Sequence, residues 1–105
     1  MKTKFKNILI GITFLFSAFI FAEQTSKKVY IVPIQAVIDL GIPGLVTRAI
    51  NLAEIDNASL IIFDIDTFGG RVDAATQIKD SISSTEIETV AFINRRAISA
   101  GSLIS

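Results

Sequence analysis

Ser99 is the side chain in this sequence best placed to do chemistry. It follows Ile93-Asn94-Arg95-Arg96-Ala97-Ile98 and directly precedes Ala100-Gly101, where the spacing predicts the start of a helix. A hydroxyl at a helix N-terminus lies among unsatisfied N–H groups and at the positive end of the dipole, which together stabilise an anion. A serine there can act as a nucleophile beside its own oxyanion site. Serine is also a preferred N-cap residue, and taken alone the stretch reads first as a cap.

A second stretch changes that balance. Asp66-Thr67-Phe68-Gly69-Gly70 follows an apolar run, and its paired glycines let backbone N–H groups approach a ligand without obstruction by a Cβ. In open α/β sheets, sites form where the chain leaves the carboxyl ends of the strands. If the two strands are neighbours, the loops converge. The N–H groups of Gly70 and Ala100 would then make a two-pronged oxyanion hole around Ser99, with Gly69 and Gly101 shaping the loops. Taken singly, Gly69-Gly70 is no more than a tight turn into a helix.

Composition restricts the base that could serve such a nucleophile. The chain has 105 residues with neither Cys nor His, so a Ser-His-Asp triad, a thiolate metal site and a disulfide framework are all out of reach. No metal or cofactor is expected. Ten basic and ten acidic side chains leave no positive excess for phosphates, which argues against a nucleic-acid partner. Arg95 and Arg96 stay charged and cannot act as bases; they are expected in a solvent-facing loop, with contact to a substrate backbone as a second role. Lys79 is the only lysine after Lys28, and a solvated role is expected for it.

The elements that must hold these loops alternate. Lys28 to Ile34 reads as a β-branched strand that Pro33 confines to an edge or a bulge, and Val37-Ile38 extends its pairing after a kink. Apolar residues at 42, 45, 46, 49, 50 and 53 have helical spacing, with Pro43 in the first turn and Asp56-Asn57 as the stop. Leu60 to Phe63 is a continuous apolar run, ending in Asp64-Ile65-Asp66, that suggests a strand covered on both faces. A second helix follows, with Val72, Ala75, Ile78 or Lys79, and Ile82 on one side, and Ser83-Ser84-Thr85 ending it. Thr89 to Ile93 is a third strand, and Ser99 opens a third helix. The expected class is α/β, right-handed βα units on a mostly parallel sheet, incomplete at the C-terminus because Ser105 falls in the second turn of the last helix.

Ahead of this fold, residues 1–22 have the layout of a secretory signal peptide. Lys2, Lys4 and Lys6 precede an uncharged stretch from Ile8 to Ala22, and Ala22-Glu23 is a candidate cleavage point. An uncleaved membrane anchor is the alternative, because Ile20 is bulky for the position three residues before the cut. Either arrangement keeps the lysines cytoplasmic and sends the rest outward, to the extracytoplasmic side of the membrane. Residues 23–28 form a linker and 29–105 the domain.

At these two loops the chain resembles the NfeD proteins, membrane-bound serine proteases with a Clp protease/crotonase-like fold. Asp66-Thr67-Phe68-Gly69-Gly70 is similar to their Asp-Thr-Pro-Gly-Gly loop, and Ala97-Ile98-Ser99-Ala100-Gly101 to their Ala-Ala-Ser-Ala-Gly motif. The resemblance implies that Ser99 is the nucleophile and that Gly70 and Ala100 donate to the oxyanion. It also implies a lysine base on a later helix, which no residue of this chain matches, so the chain alone is expected to be inactive. Phe68 replaces the usual proline. A peptide or membrane-protein substrate with apolar segments, a stomatin-like associate, and an oligomer are further implications. Two other readings remain at this point: a crotonase-like domain binding acyl thioesters, and a truncated, non-enzymatic product.

Overall fold

The computed structural model describes residues 26–105. The expected export segment over residues 1–22 lies outside the described residues. Strand β1 (Val29–Gln35), helix α1 (Ile42–Ile55), strand β2 (Leu60–Thr67), helix α2 (Val72–Ser84), strand β3 (Glu88–Ala97) and the short helix α3 (Ala100–Ile104) follow one another along the chain. The three strands form one parallel sheet in the order β1-β2-β3. This is the α/β arrangement that the sequence leads one to expect.

Local chemistry explains the joints. At the entry to α1, the Gly41 N–H donates to Asp39 Oδ1 at 2.9 Å, and Pro43 sits in the first turn, where its missing N–H costs nothing. At the exit Asn57 adopts a left-handed backbone (φ 54°), the Asn57 N–H donates to the Glu54 carbonyl at 3.1 Å and the Ala58 N–H to the Ala53 carbonyl at 2.9 Å. That pair of bonds is the Schellman closure, and it turns the chain directly into β2.

Both crossovers step the same way across the sheet, so right-handed connections place α1 and α2 on one face. The two helices pack against each other, and α3 packs beside α2. The core between helices and sheet contains Val32 and Ile34 of β1, Ile61, Phe63 and Ile65 of β2, Val46, Ile50 and Ala53 of α1, and Ala74, Ala75 and Ile78 of α2. Each large apolar side chain buried there contributes about 1.5–3 kcal/mol over exposure.

Three expectations are corrected. First, β2 is not covered on both faces: Ile61, Phe63, Ile65 and Thr67 are buried, whereas Leu60, Ile62, Asp64 and Asp66 are half-buried. Among the described residues, those four side chains gain shelter from neighbouring strands and not from a helix, and around them Ile31 and Phe92 are exposed. Second, Val72 is exposed and the buried side of α2 starts at Ala74. Third, β3 does not stop at Ile93 but runs on through both arginines to Ala97. Among the described residues, no helix is long and apolar enough to cross a membrane.

Candidate functional site

The two loops singled out in the sequence meet at the carboxyl ends of β2 and β3. Ile65 pairs with Ile93 and Thr67 with Ala97, so Asp66 alone on β2 faces three residues, Asn94, Arg95 and Arg96, on β3. This bulge carries β3 past the end of the regular ladder and delivers the chain to Ser99 beside the glycine loop. A Cβ on Gly69 would lie 2.8 Å from the Ile98 carbonyl oxygen, 3.0 Å from Ser99 Cβ and 3.1 Å from the Ala100 nitrogen. Gly69, with φ 106°, therefore lets the loops touch backbone to backbone.

Ser99 occupies the N-cap position of α3, but its side chain makes no capping hydrogen bond. Its backbone is at φ 54°, ψ −119°, a conformation that costs a non-glycine residue about 1–3 kcal/mol. The residue is exposed where the two loops meet. A cap is thus not what the side chain does, although the position is a cap position. The Ser99 carbonyl is used instead, accepting the Ser102 N–H at 3.0 Å and the Ser102 hydroxyl at 2.8 Å.

Gly70 is bridged to Ile38 in a short parallel contact beyond the ends of β1 and β2. The Ile38 N–H donates to the Gly69 carbonyl at 2.9 Å, and the Arg71 N–H donates to the Ile38 carbonyl at 2.8 Å. The chain reaches this bridge through Ala36, whose φ of 81° makes the kink expected after β1. The N–H groups of Gly70 and Ala100 themselves donate to no acceptor among the described residues. Gly101 acts by leaving space, because a Cβ there would lie 2.6 Å from Thr67 Cγ2, and α3 can start only where no side chain intervenes.

Thr67 is the residue whose importance the sequence conceals. It is the one buried polar side chain among the described residues. Its hydroxyl donates to the Ala36 carbonyl and accepts the Gly69 N–H at 3.0 Å, while its carbonyl accepts the Ile98 N–H at 3.2 Å. One residue thus ties the end of β1, the glycine loop and the Ser99 turn together. A β-branched hydroxyl in register with the buried side of β2 was the available signal.

The arginines separate. Arg95 is exposed, as expected. Arg96 is not a free loop side chain: its Nε donates to Asp66 Oδ1 at 2.9 Å, and its guanidinium carbon lies 4.1 Å from the centre of the Phe68 ring. Lys79 pairs with Asp80 at 3.7 Å on the solvent side of α2, in keeping with a solvated role. Among the described residues, no group of three or more His, Cys, Asp or Glu side chains converges to hold a metal ion.

Known proteins resemble this chain in sequence and in fold. The family model described as NfeD1b, N-terminal domain, matches residues 28–105. Membrane protein NfeD1b of Bacillus subtilis (strain 168) is 35% identical over 104 residues, which cover 96% of this chain and 24% of that protein. The structure of the 1510-N membrane protease specific for a stomatin homolog from Pyrococcus horikoshii aligns with a TM-score of 0.69 at 34% identity, covering 76% of this chain and 42% of that one. ClpP1 from Listeria monocytogenes aligns with a TM-score of 0.68 at 26% identity, covering 70% and 44%. The chain thus spans about a quarter of the Bacillus protein and less than half of each of these two structures.

Proposed function

The chain belongs to the NfeD1b N-terminal domain family, and from that premise we propose that residues 29–105 supply the nucleophile and oxyanion donors of a membrane-associated serine endopeptidase. The observation that carries this reading is the Ser99 turn: a strained, uncapped serine packed on the Gly69 backbone, with the Ala100 nitrogen following it in the same turn. Strain of that kind persists only where the surroundings impose it, and Gly69 and Thr67 are the imposing groups.

In the proposed reaction Ser99 Oγ attacks a peptide carbonyl carbon. The Oγ–C bond forms while the carbonyl oxygen takes up negative charge, which the N–H groups of Gly70 and Ala100 stabilise. The proton from Oγ passes to a lysine and then to the amine that leaves as the C–N bond breaks; water afterwards releases the acyl group from Ser99. The lysine is assigned to a helix beyond residue 105, giving a Ser/Lys dyad, and the chain without it is inactive. Burial would have to depress that lysine's pKa for it to accept a proton near neutrality.

Residues 1–22 act as the export signal or anchor, and the domain works on the extracytoplasmic side. The name of the Bacillus relative, a membrane protein, supports membrane association. Substrates are apolar segments of membrane proteins, and a stomatin-like protein is the proposed partner; the Pyrococcus protease, specific for a stomatin homolog, supports that choice.

The test uses the full-length protein containing this chain and a serine-reactive fluorophosphonate. Ser99 is expected to be the labelled residue, and Ser99→Ala to lose the label and to lower kcat by at least about 10^4. Equal labelling of the Ser99→Ala protein would sink the proposal, and an acyl-thioester binder would not be labelled at all.

A further inference from the structure

Building on Ser99 as the nucleophile, we propose that Asp66, Phe68 and Arg96 choose the substrate side chain next to the scissile bond. They do so by closing a charge-neutral pocket that admits apolar side chains and turns away charged ones.

An open pocket of about 260 Å3 is lined by Ala36, Val37, Asp66, Thr67, Phe68 and Arg96. It adjoins the catalytic loops directly. Phe68 precedes Gly69, whose backbone packs on the Ser99 turn, and the Thr67 carbonyl accepts the Ile98 N–H. An extended peptide advances about 3.3 Å per residue. A carbonyl held by Gly70 and Ala100 therefore brings a side chain one or two residues away within reach of Phe68.

The lining sets what that side chain is. Arg96 and Asp66 are bonded at 2.9 Å with side chains only 31% and 28% exposed, so each charge is already matched and partly withdrawn from water. An incoming lysine meets Arg96 as a like charge, and an incoming glutamate meets Asp66; neither finds a free partner, and both lose hydration on entry. An apolar side chain loses nothing and covers Val37 and Phe68, which are otherwise 65% and 68% exposed. The guanidinium stacked 4.1 Å from the Phe68 ring centre holds that aromatic wall in place. The bulge in β3 is what brings Arg96 across to Asp66: three residues stand there opposite one.

This arrangement predicts reciprocal charge switches, which a purely structural ion pair would not produce. Full-length protein carrying Ser99→Ala would be titrated, by fluorescence anisotropy, into labelled octapeptides with Leu, Lys or Glu at each central position in turn. At one position Leu is expected to bind about tenfold tighter than Lys or Glu. Arg96→Met leaves Asp66 unmatched and moves the preference to Lys; Asp66→Asn leaves Arg96 unmatched and moves it to Glu. The double variant returns the preference to Leu, and Phe68→Ala weakens Leu several-fold while sparing the others. If the single variants weaken all three peptides alike, or if no peptide binds, the pocket proposal is overturned. Fluorophosphonate labelling of the Ser99 protein, run in parallel, separates the two readings. Labelling without the switch leaves the nucleophile and removes the pocket, whereas the switch without labelling removes the nucleophile.

Discussion

The two ends of the sheet are built from opposite materials. At the carboxyl end the joints are backbone to backbone, fastened by the buried Thr67 hydroxyl: Ile38 with Gly69 and Arg71, Thr67 with Ile98, and glycines wherever a Cβ would intervene. At the amino end one backbone bond, from the Ser59 N–H to the Lys28 carbonyl at 2.9 Å, is accompanied by side chains in water. Lys28 Nζ lies 2.6 Å from Asp56 Oδ1 with 54% and 40% of the two side chains exposed, and the Tyr30 hydroxyl donates to Asp56 Oδ2 at 3.0 Å. Long side chains can shift by an ångström and keep such bonds. A backbone N–H aimed at a transition-state oxygen has no such freedom, so the end that holds the proposed site is the end where geometry is enforced by the absence of side chains.

The most severe challenge to that contrast is Gly70→Ala. The added Cβ would fall on the Ile38 carbonyl oxygen and 2.8 Å from the Ile38 nitrogen, at a φ of +154°. Neither backbone atom can move without opening the bridge, so a loss of about 3 kcal/mol or more is expected in urea unfolding. Gly44→Ala provides the control. Nothing lies within 4 Å of that Cβ and the residue is helical, so the same chemical change should stabilise by about 0.5 kcal/mol. Two glycines responding alike would show that the carboxyl end is not specially constrained.

How far these constraints are legible in the sequence depends on their range. The glycine pair and the serine before Ala-Gly mark their loops through local chemistry, and the alternation of strands and helices brings the loops to one edge. Helix α1 is legible to the residue at its N-terminus, because periodicity and Pro43 agree. The rest depends on pairing. The one-sided cover of β2 follows from two crossovers going the same way, which an unbroken run of Leu, Ile, Ile and Phe cannot disclose. The approach of Arg96 to Asp66 follows from two extra residues in β3, and an arginine pair after an apolar run looks the same with or without that bulge. The positive φ of Ser99 is likewise imposed by the packing of Gly69 and Thr67.

A smaller effect is expected where the enforced end meets Thr67. Gly101→Ala would set a methyl 2.6 Å from Thr67 Cγ2, and Thr67 cannot turn away because its hydroxyl is committed to Ala36 and Gly69. Overpacking of this kind costs about 1–3 kcal/mol. Thr67→Ser keeps the hydroxyl and removes the methyl, so in the double variant part of the loss should return. A coupling of about 1 kcal/mol in a double-mutant cycle is expected. Additive losses would mean that the two residues do not meet as described.

The smallest effect belongs to the amino end. The Lys28 ammonium, bonded to and beside Asp56, holds that carboxyl below its ordinary value of 3.8, with the Tyr30 hydroxyl assisting; Asp56 in turn raises Lys28 above 10.5. A carboxylate whose folded pKa is depressed adds stability above its unfolded pKa and loses it as pH falls through the lower folded value. A raised ammonium adds stability that is complete below 10.5 and disappears as pH climbs through its folded value. The pair's contribution should therefore be level from about pH 5 to pH 9. It should fade as pH falls below 3.8 and again as pH climbs past 10.5, and it should weaken with added salt, because both groups are in water. Thermal unfolding of the wild type and of Asp56→Asn across pH tests this: the small gap between them should be flat at neutrality and vanish in acid. At each pH the full-length forms of the two proteins should label Ser99 at the same rate. A labelling rate that followed the state of Asp56 would mean that the adjustable end and the enforced end are coupled through β2, and that the site is not positioned by its local backbone alone.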